Sequence, residues 1–123
     1  MSMIDVDRET FTRDYGCTPS EWLGWMPRAT QGLAWRVLDS AGRAFHSSGA
    51  APDVGSMQID FPGEGLTNPP GHLSISWAVQ EPRRIALVVL PRLRVSFQFQ
   101  DVPLPERLAF MRTFDLHLQR GGG

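Results

Sequence analysis

The chain has 123 residues, 41% of them hydrophobic and 20% charged, which suits one folded domain with a sizeable core and leaves no room for two. Its net charge of −1 lacks the basic excess that nucleic-acid-binding proteins usually carry, so we expect no nucleic-acid partner. Cys17 is the only cysteine, which excludes an internal disulfide and is compatible with a reducing compartment.

The sequence also favours a cytoplasmic protein without a membrane partner. Charged residues at positions 5–9 do not fit a signal peptide, and no apolar run is long enough to span a bilayer. All 12 basic residues are arginine, a bias typical of a GC-rich, bacterial genome. We treat 1–123 as a single domain with flexible ends at 1–10 and 120–123, although 1–10 could instead hold a short edge strand.

The first clear element is a short helix. Thr18 fits the N-cap, Pro19 the first helical position, and Glu21 the reciprocal position of a capping box. We expect this helix to end near Met26, because Pro27 cannot continue it.

Trp22 and Trp25 give this short helix a heavy apolar load. They indicate a helix that docks on a sheet, and the alternative is that one of them rims a ligand pocket. Cys17 lies just before the helix, where the helix dipole can lower the pKa of a thiol. A lone small cysteine at such a position more often serves packing.

Two short runs at 33–38 and 43–47 predict a hairpin in which Val37 faces Phe45. Alternation of polar and apolar residues over 56–61 predicts a further strand with its apolar side chains inward.

Residues 72–100 predict three consecutive antiparallel strands. The first and third alternate between apolar and polar residues, and the run 85–90 between them is apolar throughout. Turns at Pro82-Arg83 and Pro91-Arg92 would connect them, since the fixed φ of proline suits the second turn position. With these turns, one sheet face carries only apolar side chains: Ile75, Trp77, Val79, Ala86, Val88, Leu90, Leu93, Val95 and Phe97.

The opposite face of the middle strand carries an apolar stripe formed by Ile85, Leu87 and Val89. Polar side chains of the neighbouring strands border it, Arg94 among them. Such a stripe is either covered by another part of the chain or kept for a ligand or partner. It could also join two copies across a two-fold axis, so both a monomer and a homodimer remain open.

The segment 105–119 predicts a longer helix. Leu108, Met111 and Leu118 recur near helical spacing, and Gly121 ends the pattern. Residues 114–119 also alternate like a strand, so a helix that gives way to a short strand is the alternative.

Together these elements predict an α+β fold. It consists of a single curved antiparallel sheet of about six strands, with 72–100 at its centre. The short N-terminal helix and the longer C-terminal helix pack on one face of this sheet.

The sequence contains no recognisable catalytic or metal-binding motif. Nucleophile elbows, dinucleotide fingerprints and zinc-ligand spacings are not found. His72 could meet Asp60 or Cys17 only in space. We therefore expect no cofactor and no metal, and we assign no catalytic residue.

The chain ends in Arg120 and three glycines. This tail resembles those of ubiquitin-like and sulfur-carrier proteins, which are activated at a C-terminal Gly-Gly. The resemblance covers only these four residues. It implies a β-grasp fold with a strand before the tail, whereas the preceding residues predict a helix here.

We expect a non-enzymatic domain that binds a partner protein or a small apolar ligand. Two alternatives are a carrier activated at Gly123 and a small hydrolase or isomerase whose site assembles only in space. The candidate binding residues are Ile85, Leu87, Val89, Arg94, Trp22, Trp25 and His72.

Overall fold

A computed structural model of the protein describes residues 9–38, 51–63 and 69–120. The elements in chain order are β1 (Thr10–Tyr15), α1 (Pro19–Ala29), β2 (Trp35–Leu38), β3 (Val54–Phe61), β4 (Gly71–Ile85), β5 (Val88–Gln100) and α2 (Leu104–Arg120).

The strands form one antiparallel sheet in the order β1-β5-β4-β3-β2. The two strands from the predicted central segment, β4 and β5, do lie at the middle of this order. Both helices pack on one face, where side chains of α1, α2 and the sheet share a single core. The predicted α+β fold is thus confirmed, with five strands in the described residues instead of about six.

The covered face of the sheet is apolar along β2 to β5, as period-two alternation requires. On β1 it carries Phe11, Tyr15 and Arg13, whose guanidinium pairs with Asp115 of α2. Phe97 is at its centre: its ring stacks on Phe11 at 4.8 Å between centroids, meets Phe114 of α2 edge-on at 5.8 Å, and meets Trp22 of α1 at 6.4 Å. Aromatic contacts of this kind join the sheet to both helices.

The opposite face is polar across the body of the sheet. One row runs through Thr12, Ser96, Ser76 and Ser56 on four neighbouring strands. Because hydroxyl groups are readily solvated, this face needs no covering layer, and no described helix lies on it.

Helix α1 has the predicted start and a different end. The Thr18 hydroxyl accepts a hydrogen bond from the Glu21 N–H at 3.1 Å, and the Glu21 carboxylate accepts one from the Thr18 N–H at 2.9 Å. The helix does not stop near Met26 but continues through Pro27 to Ala29. Inside a helix, proline loses the bond to the carbonyl four residues back and crowds that carbonyl. The turn after Pro27 is nevertheless kept: the Thr30 N–H donates to the Met26 carbonyl at 2.9 Å, and Ala29 and Thr30 are buried.

Helix α2 confirms the predicted C-terminal helix and rules out a strand at 114–119. Its buried face contains Phe110, Met111, Phe114 and Leu118. These residues recur at spacings of three and four, so helical periodicity and not the local alternation decides the structure.

Strand β3 confirms the strand predicted over 56–61, with Met57, Ile59 and Phe61 buried. Strand β2 pairs with β3, placing Val37 opposite Met57. The other half of the predicted hairpin, 43–47 with Phe45, lies outside the described residues.

The prediction of three strands over 72–100 is wrong. The segment forms two long strands, and Val79 pairs with Leu93, Trp77 with Val95 and Ile75 with Phe97. The core therefore keeps Ile75, Trp77, Leu93, Val95 and Phe97 of the predicted face but loses Val79, Ala86, Val88 and Leu90. The run 85–90 is the tip of this hairpin, with its turn at Ala86-Leu87.

The prolines explain this error, because each lies within a strand and not at a turn. Pro82 falls where the pairing shifts between Gln80 and Arg83, so β4 carries an extra residue there. Such a bulge tolerates the missing N–H of proline.

Candidate functional site

The distal part of the β4–β5 hairpin, residues 79–92, is called the hairpin arm below. Strand β3 last pairs with β4 at Ala78, and β1 last pairs with β5 at Leu93. Beyond these two rows, β4 and β5 pair only with each other among the described residues. The arm is therefore a two-stranded ribbon that extends past the sheet.

The arm exposes large apolar side chains that take no part in the core. Leu87 at its apex is 99% exposed. The others are between 42% and 55% exposed: Val79, Ile85, Val88, Val89 and Leu90. Exposed apolar surface that is not scattered singly can mark an interaction site, so we take the arm as the candidate site.

These side chains point to both faces of the ribbon. Ile85 pairs with Val88 in the row next to the turn, and in the following row Val89 pairs with Arg84. Successive rows alternate between the two faces. A partner that buries all of them must therefore contact the arm from both sides.

The turn itself holds Leu87 at the apex. It has two residues, and Ala86 has a positive φ of 54°, the region that two-residue hairpin turns commonly need and that glycine usually occupies. For a residue with a Cβ, this conformation costs about 1–2 kcal/mol.

Proline reduces the ability of the outer edge of β5 to accept another strand. On the β1 side of β5, the Phe99 N–H donates to the Glu9 carbonyl at 2.7 Å. Because the backbone N–H and C=O groups of successive residues alternate between the two sides of a strand, all odd-numbered residues of β5 direct these groups toward the β1 side. Pro91 is one of these odd-numbered residues, and as a proline it has no N–H to donate to an added strand. Because Pro82 also interrupts the β4 side, the arm is suited to contacts through side chains and poorly suited to strand addition.

The arm carries more positive than negative charge. Residues 79–92 contain three arginines and one glutamate, a formal charge of 3 − 1 = +2. Arg92 at the base is 3.5 Å from the Asp14 carboxylate. Arg83 and Arg84, nearer the apex, are exposed and form no ion pair with any described residue.

Three of the predicted binding residues, Ile85, Leu87 and Val89, lie on this arm. Their predicted setting was wrong, since they do not form a stripe across the sheet face. Arg94 lies instead on the body, opposite Ala78, where it donates to the Asp14 carboxylate at 3.1 Å.

The predicted tryptophans belong to the core. Trp22 is fully buried and Trp25 is partly buried against the same cluster. The interpretation of α1 as a helix docked on the sheet is confirmed, and burial makes Trp22 inaccessible to a surface ligand.

His72 lies on the polar face, directly opposite Asp60. Asp60 is held by Arg36 at 2.7 Å. Desolvation alone would raise the pKa of Asp60, but the hydrogen bonds from Arg36 and Gln58, with the nearby charges, lower it. The Asp60 carboxylate is thus engaged as the acceptor of a surface ion pair.

Cys17 does not join this pair, because it lies in the core. Burial raises the pKa of its thiol to about 12, the opposite of the activation that a helix N-terminus can give. Packing is therefore its role in this structure.

An open polar groove of about 490 Å³ lies at the β1 edge, lined by Thr12, Arg13, Asp14, Arg94 and Ser96. Its Asp14 carboxylate accepts from Arg94, and this bond together with the charges of Arg94 and Arg92 lowers the pKa of Asp14. The groove contains no nucleophile paired with a base.

Within the described residues, no three His, Cys, Asp or Glu side chains cluster as a metal site would require. None of the helices described is both long and apolar enough to cross a bilayer. The glycines 121–123 lie outside the described residues, and the element before them is helix α2.

Comparison with known proteins found no matching family model, no similar curated protein and no similar solved structure.

Five residues of the arm are not indicated as site residues by the sequence. Val79, Val88 and Leu90 were predicted to lie in the core, and Arg83 and Arg84 at a turn or strand end. The spacing of the two prolines is a signal that could have found them. Pro82 and Pro91 flank an eight-residue segment centred on Ala86-Leu87, the length of a hairpin end with a two-residue turn.

Proposed function

We propose that this protein is a non-enzymatic binding domain that contacts a partner protein through its hairpin arm. The observation that supports the proposal is the group of six large apolar side chains that the arm exposes. Among the described residues the arm has neither a third strand nor a covering layer, and a two-stranded ribbon by itself is only marginally stable in water. Contact with a partner would remove that exposed surface from solvent.

The core of the protein does not need the arm. The body of the sheet has its own covered face, formed with α1 and α2, and its buried side chains include none from residues 79–92. Substitutions on the arm should therefore separate binding from folding, which makes the proposal testable.

Leu87 is the position that tests it most directly. Full burial of a leucine side chain contributes about 1.5–3 kcal/mol, so its loss should weaken binding by a factor of about 10–150. Because Leu87 is 99% exposed in the free protein, Leu87→Asp should change the free energy of unfolding by less than about 0.5 kcal/mol.

Leu116→Asp is the matched control. Leu116 is 50% exposed on α2, and the substitution makes the same change of residue and charge away from the arm. The wild type and both variants are immobilised, and the proteins retained from a host extract are quantified by mass spectrometry. We expect a protein that the wild type and Leu116→Asp retain and Leu87→Asp loses.

Two results would count against the proposal. If thermal unfolding shows that Leu87→Asp destabilises the fold well beyond the control, the arm is part of the folding unit. If the two variants retain the same proteins in the same amounts, the apex takes no part in binding.

A further inference from the structure

Arg83 and Arg84 place positive charge among the apolar residues of the arm, beside its apex. Arg84 pairs with Val89, and Arg83 pairs with Leu90. Side chains in such pairs share a face about 5 Å apart. A partner that contacts Val89 or Leu90 therefore also lies beside an arginine side chain.

Burying a guanidinium without a counter-charge is strongly unfavourable. Neither arginine has a carboxylate partner among the described residues. A partner that covers the apolar side chains of these two rows therefore binds best when it supplies acidic groups to both arginines.

From these contacts we infer that the partner is a protein with an apolar cleft whose mouth carries carboxylates. The apex side chains Ile85, Leu87 and Val88 occupy the apolar floor of the cleft. Arg83 and Arg84 pair with aspartate or glutamate side chains on its two walls. This inference rests on the proposed function and specifies the chemistry of the partner.

A flat anionic membrane fits the arm less well. Only Leu87 and one row, Ile85 with Val88, lie beyond the arginines, a depth of about 7 Å at strand spacing. A flat surface entered from the apex would bury these and leave the side chains beside the arginines, Val89 and Leu90, in water. A cleft can cover both groups.

A second copy of the chain also fits less well. Two arms packed together would each bring a charge of +2. Outside the arm, the exposed large apolar side chains of the described residues are Val54, Leu104 and Leu116. They occur singly on different elements, so the described surface offers no apolar cleft to a second arm.

The absence of lysine from the chain provides a direct test. Arg83→Lys and Arg84→Lys each introduce the only side-chain amine, which a carbodiimide couples to a carboxylate in contact with it. Arg112→Lys, at an exposed position of α2, is the matched control. A photoreactive p-benzoylphenylalanine at position 87 marks whatever surrounds the apex, whether or not carboxylates are present.

We expect the full-length Arg83→Lys and Arg84→Lys variants, treated in host cells, to form an amide between the introduced amine and an aspartate or glutamate of one protein. The photoreactive group should attach to apolar residues of that same protein, and Arg112→Lys should give no such amide. Binding measured with the captured protein should weaken by about 30-fold or more when both arginines are replaced by glutamate.

The remaining outcomes distinguish the inference from the proposed function. If position 87 cross-links to a protein and the introduced amines form no amide with it, the acidic mouth is wrong and protein binding stands. If position 87 cross-links to no protein, both fail. Cross-links only between two copies, or arm-dependent flotation with phosphatidylserine vesicles without a protein cross-link, would replace the acidic cleft by a homodimer or a membrane.

Discussion

Replacing Gly55 by alanine tests the packing of Trp77 at the centre of the sheet. The two residues face each other on β3 and β4, and a Cβ on Gly55 would lie 2.3 Å from Cζ2 of the indole. The indole is buried, and its Nε1 donates to the Pro52 carbonyl at 3.0 Å. Because the ring cannot move without losing this bond, we expect the free energy of unfolding to fall by about 1–3 kcal/mol.

Gly24→Ala is the control with the opposite expected sign. No atom lies within 4 Å of the Cβ that it would add on α1, and alanine is favoured over glycine inside a helix by about 0.5–1 kcal/mol. Urea unfolding followed by far-UV circular dichroism compares the two variants. Adding Trp77→Phe should return part of the loss in Gly55→Ala. If Gly55→Ala is as stable as Gly24→Ala, or if the smaller ring gives no rescue, the Trp77 indole does not restrict position 55.

The electrostatics of single residues give two more predictions. Native protein should react slowly with a thiol-specific disulfide reagent at neutral pH, because burial raises the pKa of Cys17 to about 12. Urea-unfolded protein should react fully. Rapid labelling of the native protein would contradict the packing role of Cys17. Asp60 has a pKa below its ordinary value of 3.8, so its pair with Arg36 stabilises the fold above that pH and the contribution is lost as pH falls. Since both side chains are more than a third exposed, Asp60→Asn should remove less than about 1 kcal/mol at neutral pH. An equal or larger loss at acidic pH, where the carboxyl is already protonated, would show that the effect is not the ion pair.

The sequence predicted best the elements whose signals are local. The capping box at Thr18 and Glu21 depends on residues three apart, and the structure has both of its hydrogen bonds. The alternation of β3 and the helical spacing of α2 are equally local. The end of α1 was mispredicted because its last turn is packed against the rest of the molecule at Ala29 and Thr30, and that packing cannot be read from neighbouring residues.

Part of the candidate site was predicted from the apolar run at 85–90, and the same run explains why its place in the fold was predicted wrongly. A continuous apolar run at 85–90 normally indicates a strand buried on both faces. In the structure nothing described covers it, because the run lies on the arm, beyond the last rows in which β3 and β1 pair with β4 and β5, and no arm residue joins the core formed with the helices. Ile85, Leu87 and Val89 are candidate binding residues because an uncovered apolar group suggests a partner, and the arm exposes six such side chains where the predicted stripe had three.

The two prolines link the error to the proposed function. If Pro82 and Pro91 lay in turns, the apolar run 85–90 would form a central strand and its side chains would belong to the core. Within the strands, they interrupt the arm's edges, so that a ribbon rich in exposed apolar residues is a poor template for further strands. Such an arm can present Leu87 and its neighbours to a partner while its backbone resists edge-to-edge aggregation. The arm therefore combines exposed apolar side chains with edges that resist strand addition, and the proposed partner binding through side chains would need both.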